Sequence, residues 1–193
     1  KSILLFYLLT CCYVLILPAQ SWTKAEAGGY HTLATGTNNS LWSWGYDEYG
    51  QLGIGSNGTQ DAPVQVGVAT NWQSFFAGTH FSFGINSDGT LWSWGSNNYG
   101  QLGIGNYNDQ NTPVQVGTAT DWLMVWAGGY HAHAIKTDGT LWCWGYNGLG
   151  QLGLGDNIDQ ITPMQVGTAT DWQTVAGGDF HSLAIKSDGS LWS

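Results

Sequence analysis

The chain has 193 residues, only 9% of them charged, and its 4 lysines stand against 13 acidic residues for a formal net charge of −9. Cations so few and so scattered exclude a phosphate-binding patch, and with it nucleic acid as a partner. Glycine, at 29 residues, is about twice its usual ~7% share and points to tight turns, since no phosphate-loop pattern is present.

At the amino end, Lys1 precedes an apolar run from Ile3 to Leu17, closed by Pro18 and by Ala19-Gln20-Ser21. The pattern predicts a signal peptide over residues 1–21, with a mature chain that starts near Trp22. The run falls short of the ~20 apolar residues a spanning helix needs, so the expected location is secreted, cell-surface or periplasmic, with no stable membrane span after cleavage. Without the leader Cys143 is the single cysteine, which leaves no internal disulfide. It stands in a strand where other copies have Ser43 and Ser93, among tryptophans and away from any base, and reads as a small strand residue rather than a reactive thiol.

From Trp22 onward one unit repeats, its clearest mark being Leu-Trp at Trp42, Trp92, Trp142 and Trp192, 50 residues apart. Each unit holds four short apolar stretches, as in Pro163 to Val166, Trp172 to Val175, His181 to Lys186 and Ser190 onward. Gly, Asp-Gly, Asn or Pro cuts each of them before a helix could form, so no helix is expected after residue 21. Four strands per unit is the content of a propeller blade. The predicted fold is all-β, a β-propeller of ~50-residue four-stranded blades, with about three and a half blades present.

The turns agree with this reading. Asp88-Gly89, Asp138-Gly139 and Asp188-Gly189 each divide two strand-like runs where a hairpin requires positive φ, and the first copy has Asn38-Asn39 there. Alternation sets Trp42 with Trp44, Trp92 with Trp94 and Trp142 with Trp144 on one face of their strands, while Trp72, Trp122 and Trp172 form a second register. Tryptophan is therefore expected to be the packing residue of the blade.

His31, His80, His131 and His181 are read as one repeated position that hydrogen-bonds a neighbouring blade, because a catalytic centre needs a single asymmetric constellation. Asp156, Asp159 and their loop neighbours lack the acidic calcium-loop pattern and are expected to bond their own turn backbone. No cofactor, metal or catalytic residue is expected. Positions that differ between copies are free for recognition, and they concentrate between Trp-Gly and Gly-Gln-Leu-Gly. The candidate ligand-binding residues are Tyr46, Asp47, Glu48, Tyr49, Asn97, Asn98, Tyr99, Tyr146 and Asn147, with Tyr107 in the loop beyond. Tyrosine mixed with Asn, Ser and Gly offers rigid amphipathic area and adaptable hydrogen bonds.

Ala-Gly-Gly-x-His, Asp-Gly-x-Leu-Trp-x-Trp-Gly and Gly-Gln-Leu-Gly-x-Gly, followed by Pro and Val, resemble the repeat of the regulator of chromosome condensation family over residues 27–193. The resemblance implies a seven-bladed ring, so a partial chain of a longer, bacterial-type secreted member is expected. It also brings alternatives. One is a guanine-nucleotide exchange factor-like regulator of a small GTPase, against which stand the uniform 50-residue intervals that leave no inserted wedge. Another is a propeller enzyme with its catalytic residues in the missing blades. The family's ultraviolet-B photoreceptor carries Gly-Trp-Arg-His-Thr where this chain reads Gly28-Gly29-Tyr30-His31-Thr32, which disfavours photoreception. The reading adopted is an exported, non-enzymatic scaffold that binds a protein or glycan through variable loops.

Overall fold

The computed structural model describes residues 21–193, so the leader expected over residues 1–21 lies outside the described residues except for Ser21. Four sheets succeed one another along the chain. The first holds β1 (Trp22–Ala27), β2 (His31–Gly36), β3 (Leu41–Gly45) and β4 (Gln60–Gln65). The second holds β5 (Trp72–Ala77), β6 (Phe81–Asn86), β7 (Leu91–Gly95) and β8 (Gln110–Gln115), and the third β9 (Trp122–Ala127), β10 (His131–Lys136), β11 (Leu141–Gly145) and β12 (Gln160–Gln165). The fourth has β13 (Trp172–Gly177), β14 (Ser182–Lys186) and β15 (Leu191–Trp192). Strands pair in chain order and antiparallel within each sheet, and no helix forms among the described residues. The expected propeller blades are present, three of them four-stranded and the last three-stranded.

The last strand of each full blade starts earlier than its apolar residues suggest. β12 opens at Gln160, opposite Gly145, and a register shift separates that pair from Cys143 opposite Met164. A bulge lets the polar half of the strand pair without an apolar side chain to mark it.

The β2–β3 hairpin and its copies follow the turn chemistry read from sequence. Gly89 and Gly139 have φ of 77° and 78°, and Asn39 has φ 58°, the left-handed region that Gly enters freely and Asn tolerates. The glycines answer a second constraint as well, because a Cβ on Gly89 or Gly139 would lie 2.1 Å from the carbonyl oxygen of Thr120 or Thr170 in the next inter-blade connection. The turn also aims an indole. Asp88 Oδ1 accepts from the Thr90 hydroxyl at 2.7 Å, and Thr90 Oγ1 accepts from Trp92 Nε1 at 2.9 Å. The same two-step chain runs through Asn38, Ser40 and Trp42 and through Asp138, Thr140 and Trp142.

The core lies between blades rather than within them. Leu33, Leu41 and Val66 of the first blade pack on Trp72, Phe75 and Trp94 of the second. Phe81, Phe83, Ile85 and Leu91 of the second meet Trp122, Ala132, Ala134 and Trp144 of the third, and Ile135 with Leu141 meets Val175 and Ala184 of the fourth. At the first two junctions a fully buried indole closes the seam: Trp94 Nε1 donates to the Gln51 carbonyl and Trp144 Nε1 to the Gln101 carbonyl, both at 2.9 Å. A Cβ on Gly53 or Gly103 would come within 2.8 Å of the indole Nε1, so only glycine lets the turn carrying that carbonyl reach the ring.

Removing the ring by Trp144→Ala is expected to cost about 3–5 kcal/mol. Trp144→Phe keeps most of the packing but deprives the Gln101 carbonyl of its indole donor, for about 1–3 kcal/mol. Trp94→Phe is expected to cost less than Trp144→Phe, since the Ser82 hydroxyl also donates to the Gln51 carbonyl at 2.9 Å and Ala132 occupies that place in the third blade. Urea unfolding of the three variants checks this order; equal costs for the two Phe variants would remove the hydrogen bond as a contributor.

Candidate functional site

In each four-stranded blade the loop from first to second strand and the long loop from third to fourth strand emerge at the same end. All the sequence-predicted ligand residues therefore share one face. Above the first junction, Tyr30 stacks on His80 with centroids 4.8 Å apart and planes 9° from parallel, and Tyr46 and Tyr49 close on the same imidazole at 6.1 and 5.1 Å. Above the next such position, Tyr99 meets Tyr130 at 5.3 Å and Tyr146 at 5.0 Å, and Phe180 completes the group against Tyr130. Tyr30, Phe180 and the imidazole partner were not anticipated as parts of this face; their signal in the sequence is the aromatic or His residue that follows Gly-Gly, Gly-Thr or Gly-Asp in each copy.

The histidines divide into two kinds, which corrects their reading as one repeated position. Phe81 pairs opposite Gly95 just as His31 pairs opposite Gly45 and His131 opposite Gly145, so His80 holds the place of Tyr30 and Tyr130. A one-residue offset in a strand turns a side chain to another face, and here it takes His80 from the junction to the loop face. His31 and His131 do bond across junctions as expected. His31 Nε2 lies 2.7 Å from Ser82 Oγ, and His131 Nε2 lies 2.9 Å from Ser182 Oγ. Each serine gives its proton to a carbonyl, of Gln51 or Gln151, so each Nε2 carries hydrogen and each Nδ1 is a bare buried acceptor. Burial, with a neighbouring imidazole in second place, pulls both histidines down to a pKa of about 4, which fits structural, uncharged rings.

The ten candidate residues separate by burial. Glu48, Asn98, Tyr99 and Tyr107 are exposed, and Tyr46, Tyr49 and Tyr146 are half-buried with their rings in the clusters. The Tyr46 hydroxyl donates to Glu48 Oε2. Asp47, Asn97 and Asn147 are fully buried and cannot meet a ligand, a correction to their place among the loop-facing set. Their Oδ1 atoms accept from the backbone N–H of Leu52, Leu102 and Leu152 at 2.8–3.0 Å, which anchors the Gly-Gln-Leu-Gly turn that receives the indole. Asp159 likewise differs from a local turn former: its carboxylate accepts from the Asn147 backbone N–H at 2.7 Å, across the long loop. Asp156 behaves as read, with its Oδ1 accepting from the Ile158 N–H.

A cavity of 590 Å³ lies between the third and fourth blades, lined by Gln151, Leu152, Gly153, Val175, Ser182 and Trp192 among others. Gln151, Leu152 and Gly153 in its wall are the counterparts of the turn residues that receive Trp94 and Trp144 at the earlier junctions. Cys143, buried in β11, has its thiol pushed up to about 12 by burial and, less, by Asp156. It is therefore protonated and unreactive at neutral pH. Among the described residues no group of three or more His, Cys, Asp or Glu side chains is placed to hold a metal.

Asp47 is the odd member of its set. Asn97 Nδ2 donates to the Asn106 carbonyl and Asn147 Nδ2 to the Asp156 carbonyl, nine residues on in each case; the counterpart for Asp47 is the Ser56 carbonyl, to which a carboxylate has nothing to donate. Its Oδ2 is buried and unpartnered, and burial raises its pKa to about 6 against the Leu52 hydrogen bond that lowers it. Because the folded pKa is raised, the buried charge destabilises the fold above pH ~6, and the penalty fades as pH falls from there through the ordinary carboxylate range. Asp47→Asn is expected to raise stability at pH 8 by about 1–3 kcal/mol, with the advantage shrinking below pH ~6; thermal unfolding of both proteins across pH 4–8 checks the sign.

Three comparisons place this architecture. The model of the regulator of chromosome condensation (RCC1) repeat matches residues 38–85, 88–135 and 138–185, and a second model of the same repeat matches 22–51 and 72–101. Arabidopsis thaliana ultraviolet-B receptor UVR8 is 39% identical over 49 residues, 25% of this chain and 11% of the receptor. Among solved structures, Saccharomyces cerevisiae Prp20p, described with its binding to Gsp1p and histones, superimposes with a TM-score of 0.76 at 24% identity over 84% of this chain and 43% of its own. Human WBSCR16 does so with 0.77 at 22% identity over 90% of this chain and 47% of its own. The chain thus spans less than half the length of these relatives, and at such identities the structural likeness speaks for the fold alone. With repeat matches over most of its length and blades of the matching architecture, the chain belongs to the regulator of chromosome condensation repeat family.

Proposed function

We propose that this chain is an exported, non-catalytic propeller scaffold that binds a protein or glycan through the loop face. The observation that carries the reading is the distribution of variation. Residues that repeat build the junctions, whereas the copy-to-copy differences gather at the loop face, where Tyr30, Tyr99 and Tyr107 are exposed beside half-buried Tyr46, Tyr49 and Tyr146. Rigid aromatic rings on a rigid frame lose little entropy on binding. Protein rather than nucleic acid as the ligand agrees with the net charge of −9, and the binding of Gsp1p and histones described for Prp20p is a precedent for protein recognition on this fold. The rival readings, GTPase regulation and catalysis by residues beyond this chain, have no observation among the described residues in their favour.

Panels of displayed extracellular proteins and of immobilised glycans test the reading. The double variant Tyr99→Ala/Tyr107→Ala is expected to weaken the captured ligand at least tenfold, while Leu123→Ala, away from the loops, leaves it unchanged. Binding that survives the loop variant, or turnover of the captured molecule, would count against the proposal. Export is tested separately. Secretion of the native chain followed by amino-terminal sequencing is expected to give a start near Trp22, and retention of the intact leader inside the cell would refute it.

A further inference from the structure

The sequence reads Asn-Gly twice, at Asn57-Gly58 and Asn147-Gly148. An asparagine before glycine is open to attack on its side-chain amide carbon by the next backbone nitrogen, because glycine has no Cβ to hinder the approach. How the pair is held decides whether the attack occurs.

Asn147-Gly148 is sealed. Asn147 is fully buried, its Nδ2 donates to the carbonyl and to Oδ1 of Asp156, both at 3.0 Å, and its Oδ1 accepts from the Leu152 N–H at 3.0 Å. The Tyr146 ring covers Gly148 and leaves no room even for a Cβ. A side chain fixed at every polar atom cannot swing its Cγ onto the next nitrogen.

Asn57-Gly58 lies in the long loop between β3 and β4, with both residues exposed. Gly58 has φ 132°, and nothing stands within 4 Å of where its Cβ would be. Asn57 Nδ2 donates to the Glu48 carbonyl at 2.9 Å, and its Oδ1 accepts from Asn111 Nδ2 at 3.4 Å. Both bonds are exposed to water and open locally at little cost; the Gly58 N–H, donated to the Asp47 carbonyl at 3.1 Å, is released in the same opening. The exposure belongs to the fold and not to the blade's place in the chain, since the counterparts Tyr107 and Asn157 are exposed too. In the third blade, however, Ile158 follows Asn157, and a branched side chain stands where Gly58 has only hydrogen. Exposure and glycine coincide at Asn57.

We propose that Asn57 is a site of spontaneous deamidation on the loop face. The Gly58 nitrogen gives its proton to solvent and bonds to Asn57 Cγ, while the Cγ–Nδ2 bond breaks and ammonia leaves, closing a five-membered imide. Water then opens the ring at Cγ to give aspartate, or at the Asn57 backbone carbonyl to give isoaspartate, whose main chain runs through Cβ and Cγ. No oxidant or cofactor takes part. Either product adds a negative charge beside Glu48 and lacks the N–H that Asn57 donates to the Glu48 carbonyl. Isoaspartate also lengthens the loop that carries Tyr46 and Tyr49.

The test incubates the full chain in warm, mildly alkaline buffer, folded or in urea, and maps its peptides by mass spectrometry, with isoaspartate detected by an isoaspartyl methyltransferase. In the folded protein Asn57 is expected to gain one mass unit at least tenfold faster than Asn147 and Asn157, with isoaspartate among the products. In urea Asn147 is expected to catch up with Asn57 while Asn157 stays slow, because sequence alone then sets the rates. Gly58→Ala is expected to slow Asn57 at least fivefold in urea, where its effect on folding plays no part. A folded-state rate at Asn57 no higher than at Asn147 or Asn157, absence of isoaspartate, an Asn147 inert in urea, or an undiminished rate in Gly58→Ala would each overturn the proposal.

Discussion

The structure depends on one contact repeated from blade to blade: an indole N–H donated to a backbone carbonyl of the preceding blade. Trp94 on Gln51 and Trp144 on Gln101 each join a large apolar surface to a directional bond in a site that excludes water. Burying the ring supplies most of the attraction, and the bond fixes where one blade sits on the next. Because the apolar clusters bridge neighbouring sheets, a blade has little core of its own. Stability therefore passes along the chain from neighbour to neighbour, as in other repeat architectures.

The polar residues around that contact hold the acceptor turn in place. Asp47, Asn97 and Asn147 bind the leucine N–H of each Gly-Gln-Leu-Gly turn. The Gln51, Gln101 and Gln151 side chains accept from the backbone two residues earlier, and Ser43 and Ser93 donate to the Leu52 and Leu102 carbonyls. Each turn is thus held from several sides, although the Gln51 and Gln151 Nε2 atoms stay buried without a partner, and a buried network of this kind is rigid only while its members are satisfied. Asp47, with one oxygen unpartnered, is where the first blade departs from the pattern.

The two ends of the blades consequently do different work. At the loop end, aromatic rings and variable polar residues stand on turns immobilised from beneath, which suits recognition without rearrangement. At the hairpin end, the Asp-Thr-Trp hydrogen-bond chain orients one indole of a pair, and Lys136 with Asp121 and Lys186 with Asp171 fill the space between the two indoles in the third and fourth blades. Copies that lack the lysine lack the aspartate as well, consistent with an ion that is kept only together with its counterion in a half-buried place.

The repeat, the strand count and the hairpins were legible in the sequence, because Leu-Trp periodicity, Asp-Gly and even Asn38-Asn39 act through local backbone preference and need no distant partner. The identity of Trp as the packing residue was legible for the same reason, since alternation along a strand assigns its face. Which polar residues of the variable loops point outward was not. Asp47 and Glu48 are adjacent and chemically alike, yet one is sealed under the turn and the other exposed, a difference set by contacts with Leu52 that only the closed loop creates. The role of His80 was hidden as well, because a one-residue offset from His31 is invisible until the strands are paired. Sequence by itself determined the elements and their order through local sterics and periodicity; tertiary structure decided which side chains became mortar and which became surface, because burial and long-range hydrogen bonds arise only when blade meets blade.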